Sequence, residues 1–156
     1  MTNKKNTDTK ERFAFGKNWA NFLNTLNEER IEEAVKSFTE KTGLSDLTGL
    51  TFLDAGSGSG LFSLAAYKLG AKVISFDYDT DSVGCTKYLK EKYCTDDTRW
   101  QVYQGSVLDQ NFLKQFGVVD VLYSWGVLHH TGHMYEAFKN VSSMVKKDGT
   151  LFISIY

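Results

Sequence analysis

A short glycine-rich stretch, residues 52–60, limits the possible folds of this 156-residue chain more than any other segment. It reads Phe-Leu-Asp-Ala-Gly-Ser-Gly-Ser-Gly, so an apolar strand leads directly into a turn with three alternating glycines, and a helical pattern follows from Leu61. A backbone that turns this sharply lies close to whatever binds at the end of the strand, and only glycine permits that approach. The stretch therefore predicts a strand, a turn and a helix arranged around a ligand.

The residues at the two ends of the turn distinguish between possible ligands. A phosphate-binding loop ends in Lys followed by Ser or Thr, whereas this turn continues with Leu61 and Phe62. A dinucleotide-binding loop needs a glycine at the position of Leu61. The pattern that fits is Asp-x-Gly-x-Gly-x-Gly, headed by Asp54, and a carboxylate there suits a positively charged group such as an amino-acid ammonium.

Asp77 is the second candidate ligand-binding carboxylate. It ends the apolar run that begins at Lys72 and lies 21 residues after Gly56. A carboxylate at the end of the second strand of an α/β unit can accept hydrogen bonds from both hydroxyls of a ribose. The alternative is that Asp77 only caps the helix that begins near Thr80.

The rest of the chain has the pattern of an α/β protein. From Leu50 onward, short apolar runs alternate with helical segments, which is typical of a parallel sheet covered on both faces. Strands are predicted at 50–55, 72–77, 100–104, 118–124 and 149–156. The helix before the last strand carries an apolar stripe from Met134 to Val145 and is predicted to end before Gly149.

The N-terminal third is predicted to be helical. Apolar residues at helical spacing indicate two amphipathic helices, one from Trp19 to Leu26 and one that Asn27 caps and Gly43 ends. Residues 1–10 are predicted to be a flexible N-terminus, residues 11–49 a helical cap and residues 50–156 the ligand-binding domain. Asp109 is predicted to start a helix, and Asp120 to lie at the beginning of the fourth strand, away from the ligand.

Composition and charge exclude several classes of protein. With 18 basic and 19 acidic residues, a net charge of −1 and no basic cluster, a large nucleic-acid surface is not expected. A content of 42% hydrophobic and 24% charged residues gives no indication of a membrane partner. Cys85 and Cys94 fall on opposite faces of one predicted helix and cannot pair locally. With no apolar signal segment, a reducing, cytoplasmic setting is expected.

Over about residues 50–156 the chain resembles the class I S-adenosylmethionine-dependent methyltransferases, in particular their small-molecule branch. The resemblance rests on the glycine stretch, on Asp77, on Gln104-Gly-Ser-Val-Leu-Asp109, on the segment from Val119 to His130, and on the turn Lys147-Asp-Gly149. It implies a Rossmann-like, doubly wound parallel sheet of strand order 3-2-1-4-5, with the family's C-terminal antiparallel hairpin missing. It assigns S-adenosylmethionine contacts to Asp54, Gly56, Ser57, Gly58, Gly60, Asp77, Tyr78, Ser106, Val107, Ser124 and Trp125.

The same resemblance implies in-line methyl transfer to oxygen, nitrogen or carbon of a small molecule. His129 or His130 is the candidate base, because a neutral imidazole can take a proton from the acceptor. No metal is expected, although His129, His130 and His133 lie close in sequence. Nucleic-acid enzymes of this family carry proline after the fourth strand, whereas this chain has Ser-Trp-Gly there and no proline. Two alternatives stay open: a non-catalytic module that binds S-adenosylmethionine or S-adenosylhomocysteine, and an enzyme that degrades S-adenosylmethionine.

The fifth strand is expected to form an exposed, apolar sheet edge. The segment from Thr150 to Tyr156 would end the sheet without a neighbour on its outer side. Because unpaired edges tend to pair with another chain, a second copy or a different protein is predicted to cover it.

Overall fold

Five parallel strands form the centre of residues 21–156, the part of the chain that the computed structural model describes. They are β1 (Thr51–Ala55), β2 (Lys72–Asp77), β3 (Trp100–Gln104), β4 (Val119–Trp125) and β5 (Val145–Ser154). Their spatial order is β3-β2-β1-β4-β5 and every neighbouring pair is parallel. The predicted Rossmann-like sheet and its strand order are confirmed.

Helices cover both faces of this sheet. They are α1 (Glu28–Thr42), α2 (Leu61–Lys68), α3 (Thr80–Tyr93), α4 (Gln110–Lys114) and α5 (Met134–Ser142), with single 3-10 turns at Asp97–Arg99 and Leu128–His130. Successive side chains of a strand point to opposite faces, so Phe52 packs with α1, α2 and α3, while Leu53 packs with α4 and α5. Within residues 21–156, no helix combines the length and the apolar character needed to cross a bilayer.

The predicted ends of α1 are confirmed. The Asn27 side chain accepts a hydrogen bond from the Arg30 backbone N–H at 3.0 Å, and Gly43 closes the helix with a left-handed φ of 73°. Of the helix predicted before it, residues 21–24 are helical, whereas Trp19 lies outside the described residues. The predicted flexible segment 1–10 also lies outside them.

The predicted boundary between α5 and β5 was wrong. The apolar stripe predicted a helix through Met144 and Val145, but α5 ends at Ser142 and β5 begins at Val145. The Val119 backbone N–H donates to the Met144 carbonyl at 2.8 Å, so pairing with β4 replaces helical bonding here. The ladder then skips residues 146–149 before Thr150 pairs with Val121, so the predicted Lys147-Asp-Gly149 turn survives as a bulge inside β5.

Several residues without a predicted ligand role lie where the sequence placed them. Asp109 caps α4 by accepting from the Phe112 N–H, and Asp120 accepts from the Thr51 N–H at the edge opposite the glycine turn. Cys85 and Cys94 are free thiols, and burial raises the pKa of Cys94 to about 11. Among residues 21–156, β5 pairs with β4 alone. That another chain covers its edge stays a prediction.

Candidate functional site

The carboxyl ends of β1, β2 and β4 meet at one edge of the sheet, and the turns that follow them form the candidate site. The chain passes from β1 outward to β2 and β3 and then returns to β4 on the other side of β1. Open α/β sheets bind their ligands at the crevice where the strand order reverses in this way. The structure therefore brings the predicted residues after these strands to one place.

The glycine turn needs its three glycines. Gly56, Gly58 and Gly60 have φ values of 85°, 54° and 84°, which other residues rarely adopt. A Cβ on Gly56 would lie 2.3 Å from Cγ2 of Val127, and one on Gly60 would lie 2.9 Å from the Cα of Thr86. The turn is therefore held between the segment after β4 and the helix α3, with its backbone facing the crevice edge.

Ser57 and Thr86 fasten this turn to α3. The Thr86 hydroxyl donates to the Gly58 carbonyl at 3.1 Å, so the 2.9 Å contact between Thr86 Oγ1 and Ser57 Oγ must have Ser57 as its donor. Both side chains are buried, Thr86 completely. The hydroxyl of Ser57 is thus used within the fold, and so is its backbone N–H, which donates to the Phe76 carbonyl at 3.0 Å. The predicted ligand contact of Ser57 stays a prediction.

We expect Gly60→Ala to destabilise the protein by about 1–3 kcal/mol. Residue 60 has a left-handed conformation that alanine adopts only with strain, and the new Cβ would collide with the backbone of α3. Gly84→Ala is the matched control, since it lies inside α3 and its Cβ would meet nothing within 4 Å. That variant should be more stable by up to about 1 kcal/mol. Urea unfolding measures both, and equal effects would show that the turn is not held against α3.

Asp77 is fixed by two backbone groups. Its Oδ2 accepts from the Gly58 N–H at 2.9 Å and its Oδ1 from the Asp79 N–H at 3.0 Å. The helix cap is Asp79, which accepts from the Ser82 N–H at 2.8 Å, so the alternative that Asp77 caps α3 is wrong. A carboxylate offers about four acceptor positions, so Asp77 keeps acceptor capacity for a ligand. Burial raises the pKa of Asp77, and the backbone N–H donors partly oppose that shift.

Asp54 is a buried carboxyl group directly below the turn. It is 2% exposed, and its Oδ2 accepts from the Ser63 hydroxyl of α2 at 2.6 Å. Burial raises the pKa of Asp54 to about 7, and the negative Asp77 adds to that shift. A buried carboxylate is costly unless a positive group approaches it, so this position favours a cationic ligand.

The end of β4 contributes one structural and one accessible side chain. The Ser124 hydroxyl is fully buried and donates to the Ala55 carbonyl at 2.9 Å, which joins β4 to β1. Trp125 is 36% exposed and stands parallel to the rings of Tyr123 and Phe152. The ammonium of Lys41, at the end of α1, lies 4.5 Å from the Trp125 ring centroid. Of these two residues, Trp125 is the one whose side chain a ligand in the crevice can contact.

The turn after β3 lies next to Asp77. The Gly105 N–H donates to the Asp77 carbonyl at 3.0 Å, and the Gln104 side chain donates to the carbonyl of the exposed Tyr78 at 3.4 Å. Ser106 accepts from the Leu108 N–H through its hydroxyl. Val107 is buried and its carbonyl accepts from Asn140 at 2.9 Å. The predicted residues of this turn thus adjoin the Asp77 end of the crevice.

His129 and His130 belong to the 3-10 turn Leu128–His130, which begins three residues after the end of β4. Both ring nitrogens of His129 are buried, and no residue from 21 to 156 forms a hydrogen bond with either. Loss of solvation lowers the pKa of His129, with His130, whose ring centroid is 3.9 Å away, adding to the effect. His129 also lines an open groove, together with Gly132, His133, Met134, Tyr135 and Glu136. His129 is therefore neutral at neutral pH and can accept a proton.

Five residues that support the site were missed by the sequence analysis: Ser63, Ser75, Thr86, Trp100 and Val127. Three of them, Ser63, Ser75 and Thr86, carry hydroxyl groups and are fully buried. A hydroxyl on the buried face of an element was the available signal, because a buried polar group needs a partner. In the described part of the chain, no three His, Cys, Asp or Glu residues are grouped to hold a metal.

The chain is similar in sequence to known methyltransferases. A ubiquinone biosynthesis O-methyltransferase of Pelagibacter ubique is 26% identical over 136 residues, which is 85% of this chain and 54% of that protein. A ribosomal protein L11 methyltransferase of Mannheimia succiniciproducens is 31% identical over 110 residues, 70% of this chain and 34% of that protein. The chain thus spans little more than half of the first and about a third of the second.

Solved methyltransferase structures are similar in fold to this chain. A candidate S-adenosyl-L-methionine-dependent methyltransferase from Methanococcus maripaludis superposes with a TM-score of 0.68 at 22% identity, covering 89% of this chain and 61% of that one. A coclaurine N-methyltransferase bound to N-methylheliamine and S-adenosylhomocysteine has a TM-score of 0.62 at 20% identity, covering 83% and 37%. A family model described as a methyltransferase domain matches residues 26–156. The chain therefore belongs to the methyltransferase domain family.

Proposed function

We propose that this chain binds S-adenosylmethionine in the crevice after β1, β2 and β4 and transfers its methyl group to a small-molecule acceptor. The observation that carries the proposal is the pair of carboxyl groups, Asp54 and Asp77, on either side of a turn that only glycines can form. Family membership supports a methyltransferase domain, and the cofactor site and the acceptor class are the proposed additions.

The residues present fit this ligand. Asp77 keeps acceptor capacity for the ribose hydroxyls, and the glycines let the backbone approach the ligand closely. Asp54 suits the positively charged amino-acid end. In this arrangement the Val107 backbone N–H would meet the adenine, and Trp125 would adjoin the methionine moiety. Ser106 and Tyr78 would flank the adenosine, next to Asp77.

The chemistry asks for positioning more than for a reactive side chain. When bound, S-adenosylmethionine supplies a methyl group on a sulfonium, which is already a good leaving group. The chain has to orient the acceptor in line and keep water away. His129 is the proposed base, with His130 beside it, because its neutral ring has no hydrogen-bond partner in residues 21–156 and faces the groove after β4. A proton from an acceptor hydroxyl or amine would pass to a ring nitrogen of His129.

A small molecule is the proposed acceptor. The absence of proline after β4 and a net charge of −1 argue against a nucleic acid. Among the relatives, the ubiquinone biosynthesis and coclaurine enzymes are named for small molecules, whereas the L11 enzymes are named for a ribosomal protein. A cytoplasmic location is also proposed, because both cysteines are free thiols, which suits a reducing compartment.

Incubation with methyl-labelled S-adenosylmethionine and a metabolite extract tests the proposal. We expect label in a compound of low mass. Label in a protein fraction would contradict the small-molecule acceptor. Unchanged S-adenosylmethionine that still binds would indicate a binding module, and its loss without any acceptor would indicate a degrading enzyme.

We expect His129→Asn to lower kcat by about a hundredfold or more while leaving the affinity for S-adenosylhomocysteine unchanged within about twofold. The reason is that His129 is proposed to act on the acceptor and not on the cofactor. His133→Asn is the matched control, since it removes an imidazole from the same groove and Asn also caps a helix well. Equal rates for the two variants would exclude His129 as the base.

A further inference from the structure

A continuous row of four hydrogen-bonded side chains, here named the Trp100 chain, runs beneath the glycine turn. It consists of Asp54, Ser63, Ser75 and Trp100, from β1, α2, β2 and β3. Ser63 Oγ lies 2.6 Å from Asp54 Oδ2, Ser75 Oγ lies 2.7 Å from Ser63 Oγ, and Trp100 Nε1 lies 2.8 Å from Ser75 Oγ. Asp54 is 2% exposed and the other three are fully buried. The chain therefore links a site carboxyl to the core without access to solvent.

The direction of each proton in the Trp100 chain follows from its far end. An indole N–H can only donate, so Ser75 Oγ accepts from Trp100. The hydroxyl proton of Ser75 then points to Ser63, because Ser63 Oγ is the other atom within hydrogen-bond distance among the described residues. Ser63 in turn donates to Asp54. Every donor in the chain points toward the carboxyl group.

This fixed direction makes the two oxygens of Asp54 different. A proton on Oδ2 would have to be donated to Ser63, which would reverse both serine hydroxyls and leave Ser75 between two donors with no acceptor. A buried hydroxyl without an acceptor is costly, so Oδ2 remains an acceptor. The other oxygen, Oδ1, has no hydrogen-bond donor among residues 21–156. Oδ1 is therefore the oxygen available to a proton or to a ligand cation.

We propose that Trp100 is a positioning residue for the cofactor: through Ser75 and Ser63 it strengthens the hydrogen bond that Asp54 Oδ2 accepts, and so leaves Oδ1 for the positively charged end of S-adenosylmethionine. The inference rests on the proposed function, since it takes that cofactor as the ligand. It implies that ligand binding displaces the proton from Oδ1, so the affinity rises as the solution becomes more alkaline. Trp100 acts through two other residues and touches neither the ligand nor Asp54.

The other groups that face Asp54 have defined effects. On β2, the negative charge of Asp77 raises the pKa of Asp54. On β4, burial raises the pKa of Tyr123, as does Asp54, so this phenol stays neutral. From α2, Asp54 receives the hydroxyl of Ser63. Of the groups acting on Asp54, the Trp100 chain is the one that donates hydrogen bonds.

The first test is the pH dependence of unfolding in urea, which needs no ligand. In the wild type, the Asp54 titration should appear with a midpoint of about 7. Trp100→Phe removes the donor that polarises Ser75 and, through it, Ser63, so the hydrogen bond to the Asp54 carboxylate weakens and we expect the midpoint to rise by about half a pH unit. Ser63→Ala should raise it further, because it removes the direct donor.

Tyr67→Phe is the matched control. Its ring packs beside Trp100 with centroids 6.1 Å apart. Its hydroxyl forms hydrogen bonds with the Asp96 backbone and with no member of the Trp100 chain. This variant should lose stability equally at every pH, with no change of midpoint. In an Asp54→Asn background, Trp100→Phe should no longer affect the pH dependence. If Trp100→Phe does not fold, Ser75→Ala interrupts the same row of hydrogen bonds and should shift the midpoint of the Asp54 titration in the same direction.

The proposal would be overturned if Ser63→Ala shifts the midpoint and Trp100→Phe leaves it unchanged. The hydrogen bonds that affect Asp54 would then not extend beyond Ser63. In the wild type, the indole N–H resonance of Trp100 should titrate with the Asp54 midpoint, and a resonance that does not move with pH would also overturn it.

Calorimetric titration of S-adenosylhomocysteine tests the link to binding. Trp100→Phe should bind it severalfold more weakly than wild type near pH 6 and equally well near pH 9. If wild type binds nothing while the unfolding midpoints shift as expected, the proposed function fails and the role of Trp100 in orienting Asp54 stands. If wild type binds but the two proteins keep the same affinity ratio at both pH values, the inferred role of Trp100 fails alone.

Discussion

Asp77→Ala is expected to weaken the binding of S-adenosylhomocysteine by at least about a hundredfold. The variant loses the carboxylate proposed to hold both ribose hydroxyls, and hydrogen bonds to a charged group contribute about 1.5–3 kcal/mol each. It also frees the Gly58 and Asp79 N–H groups, which Asp77 holds at 2.9 and 3.0 Å, so the turn loses a support. Calorimetric titration measures the affinity directly.

Asp79→Asn provides the control for that experiment. It removes the same charge two residues away, and Asn replaces Asp well as the cap of α3. Its affinity should stay within about twofold of wild type. If Asp77→Ala and Asp79→Asn bind equally well, the ribose does not lie at Asp77.

Asp54→Asn is expected to make the protein more stable near pH 8 while weakening ligand binding. The pKa of Asp54 is raised from 3.8 to about 7 in the folded protein. Below about pH 4 the Asp54 carboxyl is protonated in both the folded and the unfolded protein, so its ionisation does not lower the free energy of unfolding. As the pH rises to about 7, the unfolded chain loses this proton first, so folding becomes less favourable by up to about 4 kcal/mol. Asn is never ionised and can still accept from Ser63.

The expected gain in unfolding free energy is therefore as much as about 4 kcal/mol near pH 8 and close to zero near pH 4, as measured in urea. The amide nitrogen of Asn needs a partner, which reduces the gain. Affinity for S-adenosylhomocysteine should fall at least about tenfold, because the ammonium loses its counter-charge. If the variant is less stable than wild type near pH 8, burial of the ionised Asp54 carboxylate does not destabilise the folded protein.

The parts of the fold that sequence analysis predicted are those with local signals. The strands β1 to β3 and the caps at Asn27 and Gly43 follow from hydrophobic period and cap chemistry, which act over a few residues. The boundary at Val145 was wrong because its strand pairing with Val119 is long-range and replaced a helical pattern that was locally consistent. Strand pairing of that kind leaves no mark in the neighbouring sequence.

The same distinction applies to the candidate site. The glycine turn and Asp77 were predicted because they form a spaced pattern along the chain. The partner of Ser57 could not be predicted, since Thr86 lies 29 residues away and meets it through the packing of α3. Likewise, Ser124 near the end of β4 was predicted beside the ligand, and only the structure reveals that its hydroxyl joins β4 to β1. A motif gives the position of a residue, whereas the direction of its side chain depends on tertiary contacts.

Binding of S-adenosylhomocysteine by the wild-type chain is the most direct test of the site. In a calorimetric titration near pH 8, we expect saturable binding of one molecule per chain, with no binding of NAD or ATP at the same concentrations, because Leu61 and Phe62 replace the residues that phosphate-binding turns need. If the folded protein binds NAD or ATP as tightly as S-adenosylhomocysteine, or binds none of the three, the assignment of this crevice is wrong.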